Sequence, residues 1–136
     1  MRKQIVAGNW KMNNDYVDSE QLVSKLREQY IESETEVIIA PPFTSLLCSS
    51  NLLKSSRINV AAQNMHHAEN GAYTGEISSG MLKSIGVDTV ILGHSERRAY
   101  FNETDDLLAK KVDAALKNNM RIIFCFGEEL SDRKSG

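Results

Sequence analysis

Short apolar runs alternate with amphipathic stretches along the chain, and turn signals fall between them. Gln4 to Ala7 predicts a first strand ending at Gly8, with Asn13-Asn14-Asp15 beyond it as loop. Asp18 and Gln21 have the spacing of a capping box, and Leu22, Leu26 and Tyr30 recur every four residues, which predicts a helix over about residues 18 to 30. Val37 to Ala40 is a second strand, stopped at Pro41-Pro42 because proline cannot donate to a ladder. Thr44 to Leu53 predicts a short helix, Asn59 to Gln63 a third strand, 64 to 78 a long loop, and Gly80 to Ile85 another brief helix. Thr89 to Leu92 is a fourth strand. Asp105 and Asp106 open a helix that Lys117 closes, in keeping with its macrodipole, with Leu108, Val112, Ala115 and Leu116 on one face. Arg121 to Phe126, almost wholly apolar, is a fifth strand.

Continuously apolar strands separated by helices predict a parallel sheet covered by helices, so the fold class is α/β. The loops after the strands carry Asn9, Lys11, Gln63, Asn64, His94, Glu96 and Glu128, at the strand end where such folds place their chemistry. Five strands in 136 residues is roughly 30 residues per βα unit, so a closed eight-unit barrel of about 250 residues would need roughly twice this chain. Residues 1–136 are therefore expected to form half of a single barrel domain.

Composition narrows the function more than the fold. Hydrophobic residues make up 41% and charged residues 25%, which excludes disordered, collagenous and disulfide-scaffold classes. The formal charge of −2 offers no broad field for nucleic acid or an anionic membrane, so an anionic ligand must be caught locally. No apolar run of about 18 residues and no leader pattern occurs, and a cytoplasmic protein is expected. Cys48 and Cys125 lack metal or redox spacing and are read as two buried thiols.

Two motifs carry candidate chemistry. Gly8-Asn9-Trp10-Lys11-Met12-Asn13 places an amide and a primary amine directly after the first strand, where a compact cation can meet a small anion. Taken alone, Lys11 is a solvated loop lysine and Trp10 a packing residue. Gly93-His94-Ser95-Glu96-Arg97-Arg98 sets a histidine before a segment able to turn helical, and the positive end of a helix opposes protonation of its ring. A neutral imidazole there can polarise a carbonyl oxygen, whereas a lone histidine is more often a packed or capping group. Glu96 can orient Lys11 or act as an acid or base, and Arg97 and Arg98 read as a solvated basic pair. His66-His67 suggests no metal site, because adjacent side chains point apart and no third ligand lies at suitable spacing. Glycine-rich nucleotide loops and Gly-x-Ser-x-Gly are absent.

These motifs, with Ala40-Pro41-Pro42, Ala62-Gln63-Asn64, Gly71-Ala72-Tyr73-Thr74-Gly75-Glu76 and Cys125-Phe126-Gly127-Glu128, resemble the triosephosphate isomerase family in order and spacing over essentially the whole chain. The resemblance implies a (β/α)8 barrel, a cofactor-free homodimer that interconverts dihydroxyacetone phosphate and D-glyceraldehyde 3-phosphate through an enediol(ate). It implies that Lys11 and Asn9 bind substrate, that His94 is the neutral electrophile, and that Ser95 holds the catalytic base at rest. Glu96 would align Lys11 or assist proton handling. The 64–78 loop would enter the partner subunit, Thr74 steadying the partner's Asn9 and Glu76 pairing with Arg97, while Cys125 and Glu128 would support a lid hinge. The family's Ala-Tyr-Glu-Pro-Val-Trp-Ala-Ile-Gly-Thr-Gly motif, which carries the base and lid, has no counterpart here, nor do its late phosphate-gripping glycine turns. The chain is thus expected to be the N-terminal half and inactive alone; the alternative is a non-catalytic half-barrel module for folding or assembly.

Overall fold

The computed structural model describes residues 3–127 and 133–134. Its elements run β1 (Ile5–Asn9), α1 (Tyr16–Gln29), β2 (Glu36–Ala40), a 3-10 turn (Phe43–Ser45), α2 (Leu46–Leu53), β3 (Ile58–Ala62), α3 (Ser79–Ser84), β4 (Thr89–Leu92), α4 (Ser95–Tyr100), α5 (Asp105–Lys117) and β5 (Arg121–Phe124). All four strand pairings are parallel and the strand order is the chain order, so Asn9 lies beside Ala40 and Leu92 beside Phe124.

Both faces of the sheet are apolar, which is why its strands show no polar alternation. Ile39, Val60, Val90 and Leu92 point outward into a core shared with Val23 of α1, Leu46 of α2, Leu82 of α3 and Ala115 of α5. The intervening residues Ile38, Ala40, Ala61 and Ile91 form a second cluster on the inner face, joined by Ile123 and Cys125. At the amino ends of the strands, the buried carboxylate of Glu36 accepts hydrogen bonds from Asn59 on β3, at 2.8 Å, and from Arg121 on β5, and forms an ion pair with Lys3 at 3.1 Å. In a flat sheet β2 and β5 would be three spacings apart, about 14 Å. The Glu36–Arg121 contact reflects a curled sheet, five parallel strands alternating with helices as half of an α/β barrel.

Several boundaries differ from the sequence expectation. Asp15, not Asp18, caps α1, its Oδ1 accepting from the Asp18 N–H at 2.9 Å. The fully buried positions of α1 are Ser19 and Val23, with Leu22, Leu26 and Tyr30 only half-buried. On α5, Leu116 is 59% exposed and Lys111 takes the inward place, three residues after Leu108 and four before Ala115. β3 ends at Ala62, one residue early, and β5 ends at Phe124, leaving Phe126 exposed. Cys48 and Cys125 are half-buried rather than buried, since Cys48 sits in the first turn of α2 between exposed Leu47 and buried Ser49, and Cys125 lies just beyond β5.

Candidate active site

Two strand ends build the site. After β1, the Asn9 side-chain oxygen accepts from the Lys11 N–H at 3.0 Å, the Trp10 N–H donates to Ala40 O at 3.1 Å, and Asn13 Nδ2 donates to Trp10 O at 2.8 Å. Within this turn Lys11 adopts φ 55, a left-handed conformation that costs a non-glycine residue about 1–3 kcal/mol and persists only where neighbours enforce it.

After β4, Gly93 has φ 78, and a Cβ there would stand 2.7 Å from Cys125 O, so a side chain is excluded by both conformation and space. Arg98 straps this junction, donating from Nε to Gly93 O at 2.8 Å, with its Nη1 on Asp105 at 2.7 Å. His94 is the N-cap of α4, and its Nδ1 accepts from the Glu96 N–H at 3.3 Å. While the ring is neutral, an accepting Nδ1 leaves its proton on Nε2, where it can act as a donor. Ser95 begins α4 and is exposed.

Glu96 joins the two strand ends. Its Oε1 lies 2.8 Å from Lys11 Nζ, and the hydrogen bond from that ammonium holds its carboxyl below the usual range. Oε2 stands 3.5 Å from His94 Nδ1, where two acceptors face each other while the ring is neutral. Lys11, Glu96, His94, Asn9 and Gln63 border a cleft of about 310 Å³, and His94 and Asn9 also line an apolar hollow of about 190 Å³ with Ile38, Ile91 and Ile123. A larger groove of about 450 Å³ lies at the opposite strand ends, around Lys54, Asn59 and Asp88, away from every motif residue.

Beneath the cleft is a buried charge network that sequence reasoning missed. Lys111 donates to Asn64 Oδ1 at 2.8 Å and to Glu103, which also accepts from Arg97 Nε at 2.7 Å. Burial raises the Glu103 carboxyl, but Lys111 and Arg97 together hold it below its ordinary value. A lysine at an inward position of the α5 pattern was the signal that could have revealed it. Arg97 is therefore engaged within the chain instead of being solvated.

Thr74 and Glu76 are exposed on the 64–78 loop and make no hydrogen bond to Lys11 or His94 among the described residues. In that loop the expectation that His66 and His67 point apart is wrong: their rings stack at 4.3 Å, with Tyr73 at 4.3 Å from His66, because the loop folds back on itself. Burial, reinforced by His66, holds the His67 ring below its ordinary pKa. No group of three or more metal-ligating side chains occurs among the described residues. Glu128 lies outside the described residues, while Cys125, whose thiol burial pushes up, stands at the exit of β5.

A family model described as triosephosphate isomerase matches residues 4–136. Curated proteins named triosephosphate isomerase are similar along the same stretch: that of Flavobacterium johnsoniae is 58% identical over 137 residues, covering 100% of this chain and 55% of the relative. That of Flavobacterium psychrophilum is 57% identical over 136 residues, covering 99% and 54%. That of Clostridium beijerinckii is 47% identical over 136 residues, covering 100% and 55%. The chain spans about half the length of these relatives. Matched by the family model across nearly its whole length, with the motif residues converging at the carboxyl ends of a half barrel, the chain belongs to the triosephosphate isomerase family.

Proposed function

We propose that the chain supplies the substrate-gripping and electrophilic half of a site that interconverts dihydroxyacetone phosphate and D-glyceraldehyde 3-phosphate, in glycolysis and gluconeogenesis in the cytoplasm. The supporting observation is the Lys11–Glu96–His94 arrangement, one cation held 2.8 Å from a carboxylate whose backbone N–H fixes the imidazole tautomer. Lys11 and Asn9 meet the anionic substrate, the ammonium balancing charge that grows on the enediolate oxygen. His94 donates its Nε2 proton to the carbonyl oxygen, and Glu96 aligns Lys11. Ser95, at the open start of α4, holds the base at rest.

Proton abstraction needs a base, and the described residues of this cleft offer none free for it. Glu96 is the only carboxylate lining it among the described residues, and it is committed to Lys11. A positioned base is worth about 10²–10⁴ in rate, so residues 1–136 alone run at background and a second polypeptide segment supplies the base and phosphate grip. The 64–78 loop serves a homodimer, with Thr74 against the partner's Asn9 and Glu76 pairing with Arg97 across the interface. Cys125 and Glu128 support the lid hinge.

The test is isomerase turnover by the chain alone and by the chain joined to the part of the Flavobacterium johnsoniae relative that it does not cover. Turnover only in the joined form, lost in Lys11→Ala or His94→Ala, is the expected result, and a nitrogen-detected NMR spectrum should show His94 Nδ1 unprotonated. Robust turnover by the chain alone overturns the assignment of roles. A folded but inactive joined form would instead favour a non-catalytic assembly module.

A further inference from the structure

Lys11 holds a conformation that its own turn does not fully enforce. The contacts from Asn9 and Asn13 are local and tie down the Lys11 N–H and the Trp10 carbonyl. The Lys11 carbonyl is fixed from elsewhere, by the side chain of Gln63, which stands directly after β3 and 52 positions along the chain. Gln63 Nε2 donates to Lys11 O at 2.9 Å and to Ala40 O at 2.8 Å. Ala40 O also receives the Trp10 N–H, so one amide bridges the ends of three neighbouring strands at the point where the chain turns left-handed. Both partners are carbonyls, which can only accept, so the group facing them must be a donor. Glutamate would set a carboxylate against two carbonyl oxygens, and methionine would leave both without this donor.

We propose that Gln63 is a positioning residue: by donating to Lys11 O and Ala40 O at once, it holds Lys11 in its left-handed conformation and so aims the ammonium at Glu96 and the cleft beside His94. This rests on the reading of Lys11 as the substrate-binding cation. Without the bridge, Lys11 relaxes toward ordinary backbone geometry, the carbonyl swings, and the ammonium leaves the position set by the Lys11–Glu96 pair.

The chain joined to the remainder of the Flavobacterium johnsoniae relative provides the kinetic test. Gln63→Met should lower kcat/KM for the triose phosphate at least tenfold, with a raised KM and a lowered kcat, because Lys11 meets both the bound anion and the charge growing on the enediolate oxygen. In a Lys11→Ala background, where turnover is lost, the same substitution should change the dissociation constant for the triose phosphate less than twofold, because the two residues act through one group. Gln63→Glu should be impaired at neutral pH and recover only in part as acidification protonates the carboxyl, whose single O–H can meet one of the two carbonyls. Independently of activity, the amide-to-Hα coupling of Lys11 in the 136-residue chain should leave its left-handed value in Gln63→Met. Kinetics unchanged by Gln63→Met, additive losses with Lys11→Ala, or an unaltered Lys11 coupling would overturn the proposal. If the unsubstituted joined form turns over no triose phosphate, the isomerase reading falls, and the coupling alone decides the positioning role.

Discussion

Gly93 and Lys111 are two single positions where the site leans on backbone shape and on buried charge. Gly93→Ala would force a Cβ to within 2.7 Å of Cys125 O at φ 78, and should cost about 1–3 kcal/mol, read as a lower thermal midpoint. Lys111→Met would strand the buried Glu103 carboxylate with Arg97 alone and should cost about 3–5 kcal/mol in denaturant unfolding; adding Glu103→Gln should recover part of that loss. Because the folded pKa of Glu103 is depressed, its stabilising contribution is fully present above the unfolded carboxylate value of about 4.3 and is lost as pH falls through the lower folded value. Denaturant midpoints should therefore fall below about pH 4 in the unsubstituted chain and fall less steeply in Glu103→Gln.

At the scale of elements, strands and long helices were legible because their apolar runs and turn residues agree, as at Val37–Ala40 before two prolines. Their starts were less so. A cap is a single side-chain oxygen finding an N–H two or three positions on, and both Asp15 and Asp18 can provide one; the loop geometry that favours Asp15 is tertiary. Asp15→Ala should consequently cost about 1 kcal/mol, and Asp18→Ala, which loses only a favourable first-turn charge, about half of that or less, by thermal melts. The candidate site was legible only where residues sit in contiguous motifs, such as Asn9 with Lys11 and His94 with Glu96. Gln63 has no role legible in the sequence, because its partner Lys11 lies 52 positions away and pairing at that distance leaves no local pattern, and for Lys111 only its inward place on α5 hints at partners 8 and 47 positions away.

For the whole molecule, β1 and β5 each pair on one side only among the described residues, with Ile5, Val6 and Phe124 exposed. Unsatisfied strand edges recruit other chains, so the 136-residue chain should self-associate; a monodisperse 15.2 kDa species in sedimentation, unfolding cooperatively, would contradict this. The Glu36 carboxylate also bears on time. Its partner Arg121 is 85 positions away, and closing so long a loop costs chain entropy before the contact returns anything. A bond made after the rate-limiting step slows escape from the folded state without hastening arrival. Glu36→Gln should accordingly leave the refolding rate within about twofold while speeding unfolding about tenfold or more, for a charged hydrogen bond worth about 1.5–3 kcal/mol. One carboxylate at the foot of the strands would then govern the lifetime of the curled sheet, acting as a latch that closes last and opens first.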